Sequence, residues 1–221
     1  MNPRILEPSA QPYLEEGSME VKRFLKKLSS DTPTPGGGSA SALAGALSAS
    51  LVAMVAGLSF RKNKARMKGM KGIRRNGLSI QKRLVRAIDE DSKSFEEVIK
   101  AFRLPRTSEK ERLHRVREVQ KAYRIATFPP QLVCQQSLRL LESCRTLVLE
   151  GNPNAISDAG VAAFLADAAF TGGLLNIQVN LASLTEKAYA KKMDVLMRNW
   201  AKKRGQLMKA ILMELIETHQ G

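Results

Sequence analysis

Asp91 is the residue whose placement first invites chemistry. Leu84, Ile88, Phe95, Val98, Ile99 and Phe102 recur at helical spacing and mark one apolar stripe, and Asp91 falls inside it. Asp89, Glu90, Glu96 and Glu97 around it read as solvated. A lone carboxylate on an apolar face costs free energy unless it is paired or put to use, and burial pushes its pKa upward. Asp158 is a second carboxylate, in the first turn of a helix that Ser157 or Asn154 can cap. Asn176 and Asn180 lie four apart in the run Leu174–Leu181, apolar except for them and Gln178, so they share a helix face, and buried carboxamides need partners. The fourth element is Asp31-Thr-Pro-Thr-Pro-Gly-Gly-Gly-Ser39. Pro33 and Pro35 hold this stretch extended, and Gly36, Gly37 and Gly38 let backbone approach whatever lies over them. The helix behind it offers free N–H groups and a positive dipole end, which suit an anion. Singly, each feature has a structural account: a cap, a helix-terminal charge, a satisfied backbone group. Jointly they could line a cleft.

The elements that must position these groups are helices. Val21, Phe24, Leu25 and Leu28 predict a short amphipathic helix after an irregular, Pro-bearing arm over residues 1–18. Residues 40–60 are rich in Ala, Ser and Gly, carry no charge, and predict a close-packing helix that Ser39 or Ser41 can cap. Residues 61–86 hold eleven basic side chains and no acidic one. Gly69, Gly72 and Gly77 interrupt that stretch, so regular helix is expected only from about Leu78 to Leu104-Pro105. Ser108-Glu-Lys-Glu111 is a capping box opening a helix with Leu113, Val116, Val119, Tyr123 and Ala126 inward. Phe128-Pro129-Pro130 breaks it, and residues 131–149 predict another helix ending at Gly151. A small-residue helix over 158–170, the apolar run beyond Gly172-Gly173, and a last helix over 192–218 complete the chain. Residues 19–221 therefore predict one all-α domain, a single helical bundle around a small-residue central helix.

Composition narrows the classes. The 221 residues carry a net charge of +15 and 5% aromatics. Such a charge suits polyanionic partners, whether nucleic acid, an acidic membrane surface or a small polycarboxylate. Nucleic acid is the weaker choice, because the basic segment has no interleaved aromatics for stacking. A nucleic-acid-binding helical module is nonetheless the rival class of function. Cys134 and Cys144 lie ten apart on one predicted helix, about 15 Å of rise, too far for a disulfide. Neither His114 nor His219 has a metal-ligand context, so no metal site is expected. Free cysteines and no basic n-region leading an apolar core point to the cytoplasm. The serines of residues 40–60 argue against a membrane span.

Four blocks in order carry a family resemblance. They are Phe24-Leu25 with Thr34-Pro-Gly-Gly-Gly-Ser-Ala-Ser-Ala and Leu51-Val-Ala-Met-Val-Ala-Gly-Leu58; Asp91-Ser-Lys-Ser-Phe95 with Leu104-Pro105; Gly151-Asn-Pro-Asn-Ala-Ile-Ser-Asp158; and Gly173-Leu-Leu-Asn-Ile-Gln-Val-Asn180. Over about residues 20–218 the chain resembles the cyclodeaminase/cyclohydrolase family of folate enzymes. The resemblance implies an all-α homodimer without a cofactor, acting on a tetrahydrofolate one-carbon derivative. It implies one of two reactions. One closes 5-formimidoyl-tetrahydrofolate to the 5,10-methenyl form with loss of ammonia; the other hydrolyses the methenyl form to 10-formyl-tetrahydrofolate. Asp91 is then expected as general base, with Asp158 second. Asn152, Asn176 and Asn180 would orient the substrate, and Pro35, Gly36, Gly37, Gly38 and Ser39 would cradle its anionic or carbonyl part. Arg61, Lys62 and the basic run after them would draw in a polyglutamate tail. An inactive member serving as a dimeric interaction protein is a further alternative.

Overall fold

A computed structural model describes residues 20–62 and 67–218, apart from the side chains of Phe60, Arg61, Lys62 and Thr218. The arm over 1–18 lies outside the described residues. Seven α-helices follow one another: α1 (Val21–Leu28), α2 (Gly37–Lys62), α3 (Met67–Phe102), α4 (Glu109–Ala126), α5 (Phe128–Glu150), α6 (Ile156–Ala182) and α7 (Lys187–Thr218), with a 3₁₀ turn at Pro153–Ala155 before α6. Among the described residues there is no strand, as the all-α reading expects.

α2 is the central helix, and its small residues set how closely its neighbours approach. It runs antiparallel to both α3 and α6. Along α3, a Cβ built on Gly77 would lie 3.1 Å from the Ala49 carbonyl oxygen and 3.2 Å from the Ala53 nitrogen. Along α6, a Cβ on Gly172 would lie 2.1 Å from Ser41 Oγ. Ser48, fully buried, donates to the Ala162 carbonyl oxygen at 2.7 Å, so its polar group is satisfied across the same seam. Ala42, Ala46, Ala49 and Ala56 meet Ala159, Ala162, Ala166 and Ala169 in one core, which α5 closes through Val133, Leu140, Leu141, Cys144 and Leu147. α7 adds Met208 and Ile211 to that core and, with Cys134, Phe170 and Ile177, builds a second one around Met193 and Met197. α2 and the stretch Pro153–Ala182 are each long and apolar enough to cross a membrane, but 56% of the α2 span is buried inside the bundle.

Several local expectations are corrected by this packing. α3 is regular from Met67, eleven residues before Leu78. Met70 and Ile73 anchor its first turns on the main core, and Gly77 is the point of closest approach to α2 rather than a break. α6 runs unbroken through Gly172-Gly173, because those glycines admit Ser41 on one side and Cys134 Sγ on the other. Neither Ser39 nor Ser41 caps α2. The helix already starts at Gly37, and Ser41 Oγ donates back to the Gly37 carbonyl oxygen at 2.6 Å. No side chain caps α6 either; Asn152 caps the 3₁₀ turn instead, accepting from the Asn154 N–H. Leu113 and Val116 of α4 are exposed, as are Phe95 and Phe102 of the α3 stripe. Ser108 and Glu111 do form the expected capping box, and α4 does end before Phe128-Pro129-Pro130, but those three residues form the first turn of α5 rather than preceding it.

Candidate active site

The first turn of α2 is the floor of the site. Gly36 precedes the helix and accepts from the Ala40 N–H at 3.0 Å. Pro35, buried and joined to Thr34 by a cis peptide bond, leads into it. The N–H groups of this turn have no partners inside the helix and point out of its end. Two side chains flank them, one from each neighbouring helix.

From α3 comes Asp91. A Cβ on Gly38 would lie 2.1 Å from Asp91 Oδ1 and 2.7 Å from Oδ2, so only glycine lets the carboxyl group settle on this turn. Ser39, fully buried, shares its hydroxyl proton between the Ile88 carbonyl oxygen at 2.9 Å and Asp91 Oδ2 at 3.0 Å, with Ser92 Oγ 3.2 Å away. Burial pushes the Asp91 pKa upward, and the hydrogen bonds from the Ser39 side chain and backbone oppose that shift without cancelling it. The group can therefore exist in both protonation states. Ser39 serves either one, because a hydroxyl can donate to a carboxylate or accept from a carboxylic acid.

From α6 comes Asn176. Its Nδ2 donates to the Gly172 carbonyl oxygen at 2.8 Å and lies 3.7 Å from where a Gly37 Cβ would be. Asn180 shares that helix face, but its Nδ2 reaches the Ala126 carbonyl oxygen at 2.8 Å and ties α6 to the last turn of α4. Asp91, Gly36–Ser39 and Asn176 are thus assembled in one place, with Asn180 one turn further along α6. Ser92 completes the group. Its signal was its position next to Asp91, within the second resemblance block. A cavity of about 460 Å³ opens near Ser94, whose hydroxyl donates to the Asp91 carbonyl oxygen at 2.9 Å; Ile125, Phe128, Pro129 and Leu132 wall its other side, and Asp91 is not part of the lining.

The remaining expected residues sit elsewhere. Asp158, eighteen positions before Asn176 on α6, is about 27 Å away along the helix axis. Asn152 is beside it, its N–H donating to Ser59 Oγ at 2.8 Å near the end of α2. Arg61 and Lys62 belong to that same last turn of α2, with their side chains outside the described residues. Within one chain these four residues cannot reach the Asp91 carboxyl group. No cluster of His, Cys, Asp or Glu that could hold a metal occurs among the described residues.

A family model described as formiminotransferase-cyclodeaminase matches residues 20–199, which include every residue of the Asp91 group. The chain belongs to the formiminotransferase-cyclodeaminase family. It is 33% identical over 178 residues to a methenyltetrahydrofolate cyclohydrolase of Methylorubrum extorquens, a match covering 80% of this chain and 86% of that protein. It is 29% identical over 193 residues to the formimidoyltransferase-cyclodeaminase of Gallus gallus, covering 84% of this chain and 35% of the avian protein. The chain thus spans about a third of that longer relative. Among solved structures, a formiminotetrahydrofolate cyclodeaminase from Thermotoga maritima matches with a TM-score of 0.81 and 26% identity, over 90% of this chain and 96% of that one. Family membership accounts for the shared helical fold.

Proposed function

We propose that this protein is a folate one-carbon enzyme that hydrolyses 5,10-methenyl-tetrahydrofolate to 10-formyl-tetrahydrofolate. The observation that carries the reading is a half-buried carboxyl group of raised pKa, seated on the glycine turn of α2 and hydrogen-bonded by Ser39. The cyclohydrolase relative, matched over most of both chains, favours hydrolysis. Water adds to the methenyl carbon as Asp91 takes its proton, giving a tetrahedral carbon. Asp91 then gives that proton to N5 as the C–N5 bond breaks, and the hydroxyl oxygen closes to the carbonyl as its own proton passes to Asp91 and on to solvent, leaving the formyl group on N10. A carboxyl group that takes a proton in the first step and gives it back in the second serves both. Asn176, beside Gly37, orients the reacting portion of the substrate, and the α2 N–H groups hold its carbonyl oxygen.

The structural likeness to a cyclodeaminase supports a second reading. There N10 attacks the formimidoyl carbon and ammonia leaves, and Asp91 carries the proton from N10 to the departing nitrogen. The decisive assay is the absorbance of the methenyl form, followed with each substrate in turn. Loss of the methenyl band above the uncatalysed rate supports hydrolysis, and its appearance from the formimidoyl substrate supports deamination. Neither change, with no folate binding and an intact helical circular dichroism spectrum, overturns both and leaves the reading of an inactive, dimeric interaction protein.

The working unit we propose is a homodimer. Leu47, Met54 and Leu58 on α2 and Val161, Phe164, Leu175 and Val179 on α6 are exposed, and α2 bears no charge from Gly37 to Phe60. A self-complementary contact between two such faces, with its two-fold axis across the middle of α2, reverses that helix end for end. It brings the Asn152–Asp158 turn, Arg61 and Lys62 of a second copy toward the Asp91 group. In that arrangement Asp158 assists proton transfer, and the basic residues receive a glutamate or polyglutamate tail. The free thiols fit a reducing cytoplasm.

A further inference from the structure

Hydrolysis of the methenyl form leaves Asp91 with a proton to discharge. Water brings two protons to the reacting carbon; N5 keeps one, and the other ends on Asp91 in every turnover. The Asp91 side chain is half-buried, and the part of it that solvent reaches is the part a bound substrate covers. A route leading away from the substrate is therefore needed, and α2 and α3 together hold one. Asp91 Oδ2 lies 3.0 Å from Ser39 Oγ, and Ser39 Oγ lies 3.2 Å from Ser92 Oγ. Ser39 is fully buried, so its hydroxyl meets no solvent. Ser92 is partly exposed. It stands one residue beyond Asp91 on α3, so its side chain is turned about 100° around the helix from the carboxyl group. Val85 and Phe95, to either side of it on α3, are exposed. The Ile88 carbonyl oxygen accepts from Ser39 at 2.9 Å and lies 3.5 Å from Ser92 Oγ, which keeps the two hydroxyls at one spot. Ser94 is turned the other way and directs its hydroxyl to the Asp91 carbonyl oxygen at 2.9 Å, so it is not part of this row.

We infer that Asp91, Ser39 and Ser92 form a proton relay that discharges Asp91 to solvent after each hydrolysis, an inference that rests on the hydrolytic reading above. The step balances without a further reactant. The Oδ2–H of the acid donates to Ser39 Oγ. As that proton crosses, the Ser39 proton passes to Ser92 Oγ and the Ser92 proton passes to water. Three O–H bonds break and three form, Asp91 returns to the carboxylate, and one hydronium ion leaves. The shifts are concerted, so neither serine becomes an ion. A hydroxyl suits this transfer because it donates and accepts at once. Rotation of the two hydroxyls resets the row, and Ser39 again donates to the carboxylate. Ser39 and Ser92 are thus positioning residues for the proton, and of the three only Asp91 meets the reacting atoms.

The test compares Ser92→Val with Ser92→Thr. The two variants have nearly the same shape and differ in the hydroxyl, and the second methyl of Val keeps water out of the hydroxyl's place. Hydrolysis is followed by stopped-flow absorbance of the methenyl form, with substrate in excess over the intact protein. The first turnover needs no discharge, because the active form of Asp91 starts as the carboxylate. Ser92→Val is expected to complete the first turnover at the wild-type rate and then to slow by about tenfold, a smaller loss than that of the acid–base group itself, because protons still escape past the substrate. The slow phase should show a larger solvent deuterium isotope effect than wild type, and Ser92→Thr should restore steady turnover. A slowed first turnover in Ser92→Val overturns the relay, since the residue then only seats Asp91. So does steady turnover in Ser92→Val equal to that of the unaltered protein, with the hydrolytic reading left standing. If the unaltered protein hydrolyses nothing, that reading fails and the relay falls with it.

Discussion

The Asp91 carboxyl group rests on the Cα of Gly38: a Cβ at that position would lie 2.1 Å from Oδ1. The two residues are 53 positions apart in the chain and are held together because α2 and α3 run antiparallel. The glycine is thus required by a side chain on another helix. Gly38→Ala is expected to displace the carboxyl group and lower turnover by about tenfold or more, since small misplacements of reacting groups are costly. Helix content by circular dichroism should be unchanged, because Ala suits a helix at least as well as Gly. Full activity in this variant would argue that Asp91 does not act from its present seat.

Asp91→Asn removes the proton carrier while keeping the shape. Turnover should fall by about 10²–10⁴-fold, the usual contribution of a positioned acid or base. Stability should move the other way. The folded-state pKa lies above 3.8, because burial disfavours the charged form. Between that value and the raised folded one, the unfolded chain binds fewer protons than the folded chain, so stability falls as pH rises. The asparagine variant escapes this loss. Its melting temperature relative to wild type should climb as pH increases from about 4 through the raised pKa of Asp91. A constant difference across that range would show that the carboxyl group is not desolvated.

Complementation tests the two-copy arrangement of the site. Asp91→Asn and Asp158→Asn homodimers should each be impaired. After mixing and reassortment, half the dimers carry both variants, and one of the two sites in each is intact, giving about a quarter of wild-type activity for a two-fold-symmetric pair. Recovery of nothing, with mixed dimers demonstrated by mass spectrometry, would show that the two carboxylates do not share a site across the interface.

Gly77→Ala probes the α2–α3 seam. The added Cβ would meet backbone atoms of Ala49 and Ala53 at 3.1 and 3.2 Å, and backbone within a helix yields little. Overpacking of this kind costs about 1–3 kcal/mol, a drop of several degrees in melting temperature for a chain of this size. Gly69→Ala, where the Cβ would meet nothing within 4 Å, is the control and should be neutral or stabilising.

Cys134 and Cys144 are both buried, and burial pushes each thiol up to about 12. Neither should react with a thiol reagent in the native protein at neutral pH, and both should react after denaturation. Rapid native labelling would mean that α5 opens far more readily than its place in both cores implies.

What the sequence determined by itself was local and periodic. The helical class, the capping box at Ser108, the break at Phe128-Pro129-Pro130 and the misfit of Asp91 on an apolar stripe follow from spacing and from the cost of burying charge. The blocks of the resemblance named the residues, and Gly36–Ser39, Asp91 and Asn176 are indeed gathered together. Tertiary structure decided what the glycines do. Spacing alone made Gly77, Gly172 and Gly173 look like interruptions, because propensity counts their entropy and cannot see a neighbouring helix. In the folded chain they are places where α2, α3, α5 and α6 come nearly into backbone contact. Tertiary structure also separated two groups that sequence reading had pooled. Asp158 and Asn152 end up at the far end of α2 from Asp91, because α2 and α6 pack antiparallel over their whole length. Distance along the chain does not report which end of a bundle a residue reaches; the direction of each helix does.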